Sequence, residues 1–229
     1  MNLNLHLARR YGKIKHTFKG LINQNPVLTM GLALPFAVVC SGTLQNATIL
    51  SLSMLFTVLP TLFMCNLFGK KLPTWLHMVV FPIIAALLLI PVTVFVSPLT
   101  PNISDSLGFY IQIISVNTLL LYSITPCVYM KKPMDALSYA FFNVAGFSIV
   151  VLLLAVFREA LGNGTLWNIP LPYVPIKLTG LQLPFAGFIL LGVLAAGCRF
   201  INRIIIQILL NLDKVRKQET DLGVSDLMD

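Results

Sequence analysis

From Ala136 to Phe157 the chain carries no charged residue, and after Arg158 and Glu159 the next charge is Lys177. An apolar run of this length, about 20 residues, has one low-energy destination, a helix across a bilayer. Lipid offers the backbone no hydrogen-bond partners, so a spanning segment must satisfy its own. Composition extends the same reading to the rest of the chain. Apolar residues make up 57% of the 229 and charged residues 10%, against roughly 25% charged in a soluble domain. Mean hydropathy is +0.85. The expected fold class is therefore all-α, a polytopic membrane protein with almost no extramembrane domain.

Taken in order, residues Met1 to Gly20 read as a basic arm suited to an anionic leaflet. The first apolar segment, about Pro26 to Ser41, spans only ~24 Å at 1.5 Å per residue, less than a ~30 Å hydrocarbon core. It contains Gly31 and Pro35. It reads either as a broken or re-entrant helix or as a helix extended into Leu21 and Ile22 with Pro35 as a tolerated kink. Gly42 to Ala47 reads as a polar turn. Further spans are expected at Thr48–Phe68, Trp75–Val96, Leu107–Met130, Ala136–Phe157 and Pro184 to about Cys198, six in all. Gly69-Lys70-Lys71-Leu72-Pro73 and Lys131-Lys132-Pro133 form short basic loops, while Ser97 to Asp105 has no basic residue. Arg199 to Lys217 reads as an amphipathic surface helix, and the tail 218–229 as acidic and disordered.

Basic residues set orientation. With the N-terminus inside, Lys70, Lys71, Lys131, Lys132 and the cluster from Arg199 to Lys217 all fall on the cytoplasmic side, and only Arg158 and Lys177 fall outside. Both termini are expected in the cytoplasm. The net charge of +8 follows from this bias and does not indicate nucleic-acid binding, since no basic patch is interleaved with aromatics. No removable signal peptide is read at the N-terminus. Residues 21–96 and 107–198 give three spans each, and they enter from opposite sides. Two inverted three-helix repeats follow, led by interrupted first and fourth spans that meet near the midplane.

The polar residues of the fourth span, Gln112, Ser115, Asn117 and Thr118, would face Gly31 and Pro35 there. With carbonyls freed by broken helices they suit a hard cation such as sodium, or a water path. Helix–helix hydrogen bonding by the same side chains is the plainer account and the preferred one. No carboxylate lies within a span, which argues against a carboxylate proton relay in this chain. The cysteines Cys40, Cys65, Cys127 and Cys198 form no Cys-x-x-Cys pair, so neither a zinc knuckle nor a disulfide framework is indicated. His6, His16 and His77 are scattered, and no nucleophile–base pair or phosphate loop marks a hydrolase or transferase.

The stretch from Phe157 to Trp167 stands out as a polar island. By composition it is a helix end needing a cap and an interfacial charge, with Gly162 and Gly164 free to turn the chain. Its sequence, Arg158-Glu159-Ala-Leu-Gly162-Asn163-Gly164-Thr-Leu166, resembles the Arg-Glu-x-x-Gly-x-Gly-x-Leu stretch of the small six-helix membrane subunits of Rnf and Nqr electron-transport complexes, in the Rnf E / Nqr D branch. Asn25-Pro26 at the first span and Pro184 to Gly192 at the last are similar at matching spacing. The resemblance covers nearly the whole chain.

The resemblance implies a subunit in a bacterial or archaeal cytoplasmic membrane, paired with a homologous six-span subunit of opposite orientation. Such complexes move sodium or protons as electrons pass between ferredoxin or NADH and an acceptor. Flavins and further iron–sulfur centres sit in partner subunits. In the family, a cysteine from the first and one from the fourth span of each partner hold a 2Fe-2S cluster between the subunits. Counted from the matching motifs, those positions are Pro35 and Thr118 here, and neither is a thiolate. Cys40 and Cys127 are the candidates for a relocated cluster, but their offsets carry them toward opposite faces, and buried small hydrophobes are the preferred reading. The chain is thus expected to keep the scaffold without the ligands, as a scaffolding or gating paralogue. The alternative is a stand-alone inverted-repeat transporter or channel for a small solute or ion.

Overall fold

Residues 25–96, 105–167, 169–170, 178–200, 203–204 and 207 are described by a computed structural model of the protein. The basic arm, most of the loop from Ser97 to Asp105, most of the expected surface helix and the acidic tail lie outside them. The elements follow the apolar runs. Helix α1 is Leu34–Cys40, α2 Leu44–Phe68, α3 Thr74–Val96, α4 Asp105–Ile113, α5 Thr118–Tyr129, α6 Pro133–Arg158 and α7 Pro184–Phe200. Among the described residues, four helical stretches are long and apolar enough to cross a membrane, and α7 is apolar but shorter. The chain is a polytopic all-α membrane protein. The described residues up to Leu191 form one compact unit and those from Gly192 on a second, which is helical.

Both leading segments are interrupted. Before α1 the chain turns from Asn25 to Ala33, with Gly31 at φ 68° and Ala33 at φ 58°. The break therefore precedes Pro35, which sits in the first turn of α1, where a missing N–H leaves no bond unmade. Between α4 and α5 a tight 3-10 turn covers Ile114–Val116, and Asn117 is extended at φ −67°, ψ 139°. Elsewhere proline is absorbed inside helices, as at Pro60, Pro82, Pro91 and Pro126. Helix α2 begins at Leu44, earlier than the polar Gly42–Ala47 stretch suggests, because the Thr43 side chain caps it by accepting from the Asn46 N–H at 3.3 Å.

The two halves repeat each other's hydrogen bonds at a fixed offset. Asn25 Oδ1 accepts from the Val27 and Leu28 N–H groups, and its amide donates to the Gly146 carbonyl at 2.8 Å. Asn117, 92 positions on, accepts from the Leu119 N–H and donates to Met54 Sδ at 3.7 Å, and Met54 lies 92 positions before Gly146. Asn66 donates to the carbonyls of Cys127 and Met130 at the end of α5, at 2.7 and 3.0 Å. Arg158, 92 positions after Asn66, donates to the Val38 carbonyl at the end of α1, 92 positions before Met130. Each half thus caps the broken helix of the other. Direction is fixed by the same contacts. Leu44 at the start of α2 meets Glu159 just past the end of α6, whereas Asn66 near the end of α2 reaches Met130, just before α6 begins. Corresponding helices α2 and α6 are antiparallel, as inverted repeats require. The correspondence stops after α6, where a short hairpin of Thr165–Leu166 with Ile169–Pro170 (β1 and β2) and a 3-10 turn at Thr179–Gln182 intervene before α7.

At the lysine-bearing end, Lys70 donates to the Met130 carbonyl at 3.1 Å. His77, 3% exposed, points Nε2 at the carbonyls of Gly69 and Leu72 at 2.8 and 3.1 Å. It therefore ties the loop down as a donor, a structural use. Asn66→Leu removes two bonds to buried carbonyls and is expected to destabilise the chain by about 1–3 kcal/mol. Thermal melting of the detergent-solubilised protein, followed by the loss of its monodisperse peak, checks this. Leu67→Ala, at the half-exposed neighbouring position, should leave the midpoint within about 1–2 °C.

Candidate functional site

The left-handed turn before α1 and the break before α5 meet where the interrupted helices cross. The Ala33 N–H donates to Thr118 Oγ1 at 2.8 Å. The left-handed φ of Ala33 is costly for a residue with a Cβ, about 1–2 kcal/mol, and the bond from the opposite half helps hold it. Thr118 opens α5, and Asn117 beside it caps that helix. The sequence comparison picks Pro35 and Thr118. The structure brings Thr118 to the backbone of Ala33 instead, with Pro35 exposed on the first turn of α1. Nothing in the residue type of an alanine flags it, and only the backbone conformation does.

This crossing lies on an exposed face. Gly31, Pro35, Gln112 and Thr118 are exposed, as are Met30, Val116 and Tyr122. Ser115 is buried and donates to the Gln112 carbonyl at 3.3 Å. Asn117 is 1% exposed. Of the four polar residues expected to line an ion path, Ser115, Asn117 and Thr118 are engaged in local capping and in the contact between halves. Gln112 faces outward.

The cysteines do not assemble beside it. Cys40 ends α1, next to the Val38 and Ser41 groups bound by Arg158 at the end of α6. Cys127 lies in the last turn of α5, where Asn66 binds its carbonyl close to the start of α6. The 26 residues of α6 separate these two places, a distance on the order of 35 Å at 1.5 Å per residue. Cys65 is the cysteine near the end of α5, its thiol 3.6 Å from the Ile124 carbonyl. Among the described residues, no group of three or more His, Cys, Asp or Glu is placed to hold a metal ion. Thr118 Oγ1 is taken by a backbone N–H, and Pro35 has no ligating atom. These residues do not fit half of a thiolate-held iron–sulfur cluster.

The polar island at the end of α6 is buried. Arg158 is 2% and Glu159 0% exposed, so both charges are enclosed by the protein. Arg158 Nη1 donates to the Val38 carbonyl and, at 2.9 Å, to Ser41 Oγ; Nε donates to Leu181 O at 2.9 Å and Nη2 to Gln182 O at 2.8 Å. Gln182 returns a bond from its amide to the Arg158 carbonyl at 3.0 Å. Glu159 accepts from the Leu44 N–H at the start of α2 and from Thr165 Oγ1 at 3.3 Å. A cation thus sits at the C-terminus of α1 and an anion at the N-terminus of α2, each complementing the helix dipole it faces. Two consecutive residues clamp both sides of the Ser41–Thr43 turn. The glycines serve this packing in different ways. Gly164 is left-handed at φ 67° and ends the single π-helical turn Glu159–Asn163, which includes Gly162. A Cβ on Gly162 would come within 2.8 Å of Gln182 Nε2, and one on Gly187 within 2.8 Å of Val38 Cγ1.

The sequence pattern of the Rnf-Nqr subunit family, described as membrane proteins, matches residues 13–195. The chain is 24% identical over 172 residues to the D subunit of the Na(+)-translocating NADH-quinone reductase of Psychromonas ingrahamii, covering 75% of this chain and 81% of that protein. It is 25% identical over 186 residues to the E subunit of the Na(+)-translocating ferredoxin:NAD(+) oxidoreductase complex of Acetobacterium woodii, covering 79% and 93%. It is also similar to the E subunit of the ion-translocating oxidoreductase complex of Aliivibrio fischeri, at 27% over 149 residues, 65% of this chain and 66% of that protein.

Arg158→Lys keeps the charge but offers one ammonium in place of a planar fork reaching four acceptors on two segments. It is expected to cost about 3–5 kcal/mol, near the value for breaking a buried charged network. Gly187→Ala should act in the same direction and less strongly, since Val38 can shift by tenths of an ångström. Thermal midpoints of the two variants against wild type test the order.

Proposed function

The chain belongs to the Rnf-Nqr subunit family of membrane proteins, and from that premise we propose that it is a membrane-embedded subunit of an ion-translocating electron-transport complex. In this reading it forms one half of a pseudo-symmetric pair with a second, homologous six-span subunit of opposite orientation. Its own spans form two halves, about 21–96 and 107–198. It resides in a bacterial or archaeal cytoplasmic membrane with both termini inside. Flavin and iron–sulfur centres belong to its partners.

The observation that carries this reading is the exposed helix crossing. Irregular backbone at membrane depth is tolerated only where protein or a water-lined cavity covers it. Here the left-handed Gly31 and the polar Thr118 and Gln112 are exposed on the isolated chain. A lipid-facing surface would leave them against acyl chains, whereas a partner subunit covers them. Sequence relatives that are named subunits of multi-subunit oxidoreductases support the same assignment.

Within such a complex this chain acts as a scaffold and gate without conducting electrons. Its own residues hold the crossing closed through Thr118 and fix the outer end of α1 through Arg158. No step of electron transfer passes through a group it holds.

Affinity purification of the full chain in a mild detergent tests the assignment. The expected product is a stable assembly with flavin and iron–sulfur absorbance. A monomer free of redox subunits, taking up a solute by itself in vesicles, would overturn it in favour of a stand-alone transporter. In the purified assembly, Cys40→Ser and Cys127→Ser should each leave the iron-to-protein ratio unchanged. A drop in iron with either variant would return a cluster to this chain.

A further inference from the structure

Helix α2 carries a hydroxyl at every fourth position along one buried strip, Ser53, Thr57 and Thr61, continued by Cys65, and all four are 0% exposed. Serine and threonine inside a membrane helix ordinarily donate to the carbonyl three or four residues back, which satisfies the hydroxyl locally. The neighbours do this. Ser51 donates to the Ala47 carbonyl at 2.8 Å and Thr61 to the Thr57 carbonyl at 2.7 Å. On α5, Ser123 donates to the Leu119 carbonyl at 2.7 Å. Ser53 and Thr57 do not, and among the described residues no atom of the chain pairs with either hydroxyl.

Both side chains lie wholly inside the chain. Being fully buried within the chain, they are out of reach of a partner subunit. Met54 lies between them in sequence and receives the Asn117 amide at 3.7 Å, a weak bond to a thioether. Pro60, inside α2, supplies no N–H to the carbonyl of Phe56, and such a gap in the ladder is a common place for water to enter. A hydroxyl that forgoes a free local acceptor loses about 1–3 kcal/mol unless something else binds it.

We propose that Ser53 and Thr57 hold internal water beside the helix break at Asn117. The water bridges the two hydroxyls and continues the polar strip of α2 toward the end bearing Lys70, Lys71, Lys131 and Lys132. This site belongs to the second span, not to the fourth-span residues that sequence reasoning favoured. It rests on the two unpaired hydroxyls and stands whether or not the chain works in a redox complex.

Radiolytic hydroxyl-radical footprinting of the wild-type protein, in its assembly or in detergent, reads the site directly. Radicals form from water held in place, so Met54, fully buried, should be oxidised at least tenfold faster than Leu62, which is equally buried one turn past the site. After correction for the higher intrinsic reactivity of sulfur, measured on the unfolded chain, a Met54 rate no higher than that of Leu62 would overturn the proposal. Thermal melting supplies the second arm. Ser53→Ala and Thr57→Val remove the hydroxyls at nearly constant size. With water in place each should lower the midpoint by about 2–4 °C. If the hydroxyls are dry, deleting them raises it, and that result also refutes the site. A midpoint raised by sodium over choline in wild type and not in Thr57→Val would assign a cation there and overturn the assignment to water.

Discussion

A helix broken inside a bilayer exposes backbone N–H and C=O groups that lipid cannot satisfy, and the whole molecule is arranged around meeting that demand. Bonds from four residues cross between the halves. Asn25 reaches Gly146, Asn117 reaches Met54, Asn66 reaches Cys127 and Met130, and Arg158 reaches Val38. At each break the freed N–H groups bond within the same half, to Asn25 and to Asn117, while the far ends of α1 and α5 are bonded from the other half. Inverted repetition therefore does structural work here: each half carries the cap that the other lacks. The antiparallel pairing of α2 and α6 is what places each cap at the correct depth.

The two caps are related by sequence offset but not by chemistry. At the lysine-bearing end a neutral amide, Asn66, suffices, helped by Lys70 on the Met130 carbonyl. At the other end a guanidinium is used. The difference follows from what each cap must join. Asn66 binds one helix end. Arg158 binds the end of α1 and also the carbonyls of Leu181 and Gln182 in the turn before α7. The insertion after α6, absent from the first half, supplies those extra acceptors. A planar five-donor group spans both segments, and no amide does. Glu159 then serves α2, so that the charges lie against opposite helix dipoles. Burial of this pair is sustained by directional bonds on every side, which is the condition under which buried charge is tolerated.

Much of this was legible in the residues. Uncharged runs located the long apolar helices, and the expected interruption of the leading segments of two opposed halves agrees with the turns at residues 31–33 and 114–117 and with the antiparallel α2 and α6. The Arg158–Glu159 stretch was marked by its isolation in apolar sequence. Its burial was not legible, because composition places a lone charge pair at a membrane surface, and only the fold shows Val38, Ser41, Leu181 and Gln182 converging on it. The precise break in the first segment was also hidden. Proline drew attention to position 35, whereas the strain lies at Gly31 and Ala33. An alanine in a left-handed conformation has no signal in sequence, since a bond from the other half helps hold it there. The hydroxyls of Ser53 and Thr57 were invisible for a related reason. Residues of that type inside a helix usually bond to their own backbone, and only the folded structure reveals the two that do not.

The irregular backbone at the crossing of the leading segments is held by the chain's own hydrogen bonds. In a site defined by thiolates, the ligands and the irregular backbone would stand or fall together. Here the backbone is held by protein–protein hydrogen bonds alone: Thr118 to Ala33, Asn117 to its own helix, and the clamp of Arg158 on the far end of α1. Each of these is independent of any ligand at the crossing. The surface at the crossing is polar and exposed on the isolated chain, and irregular backbone at membrane depth needs cover by protein or a water-lined cavity.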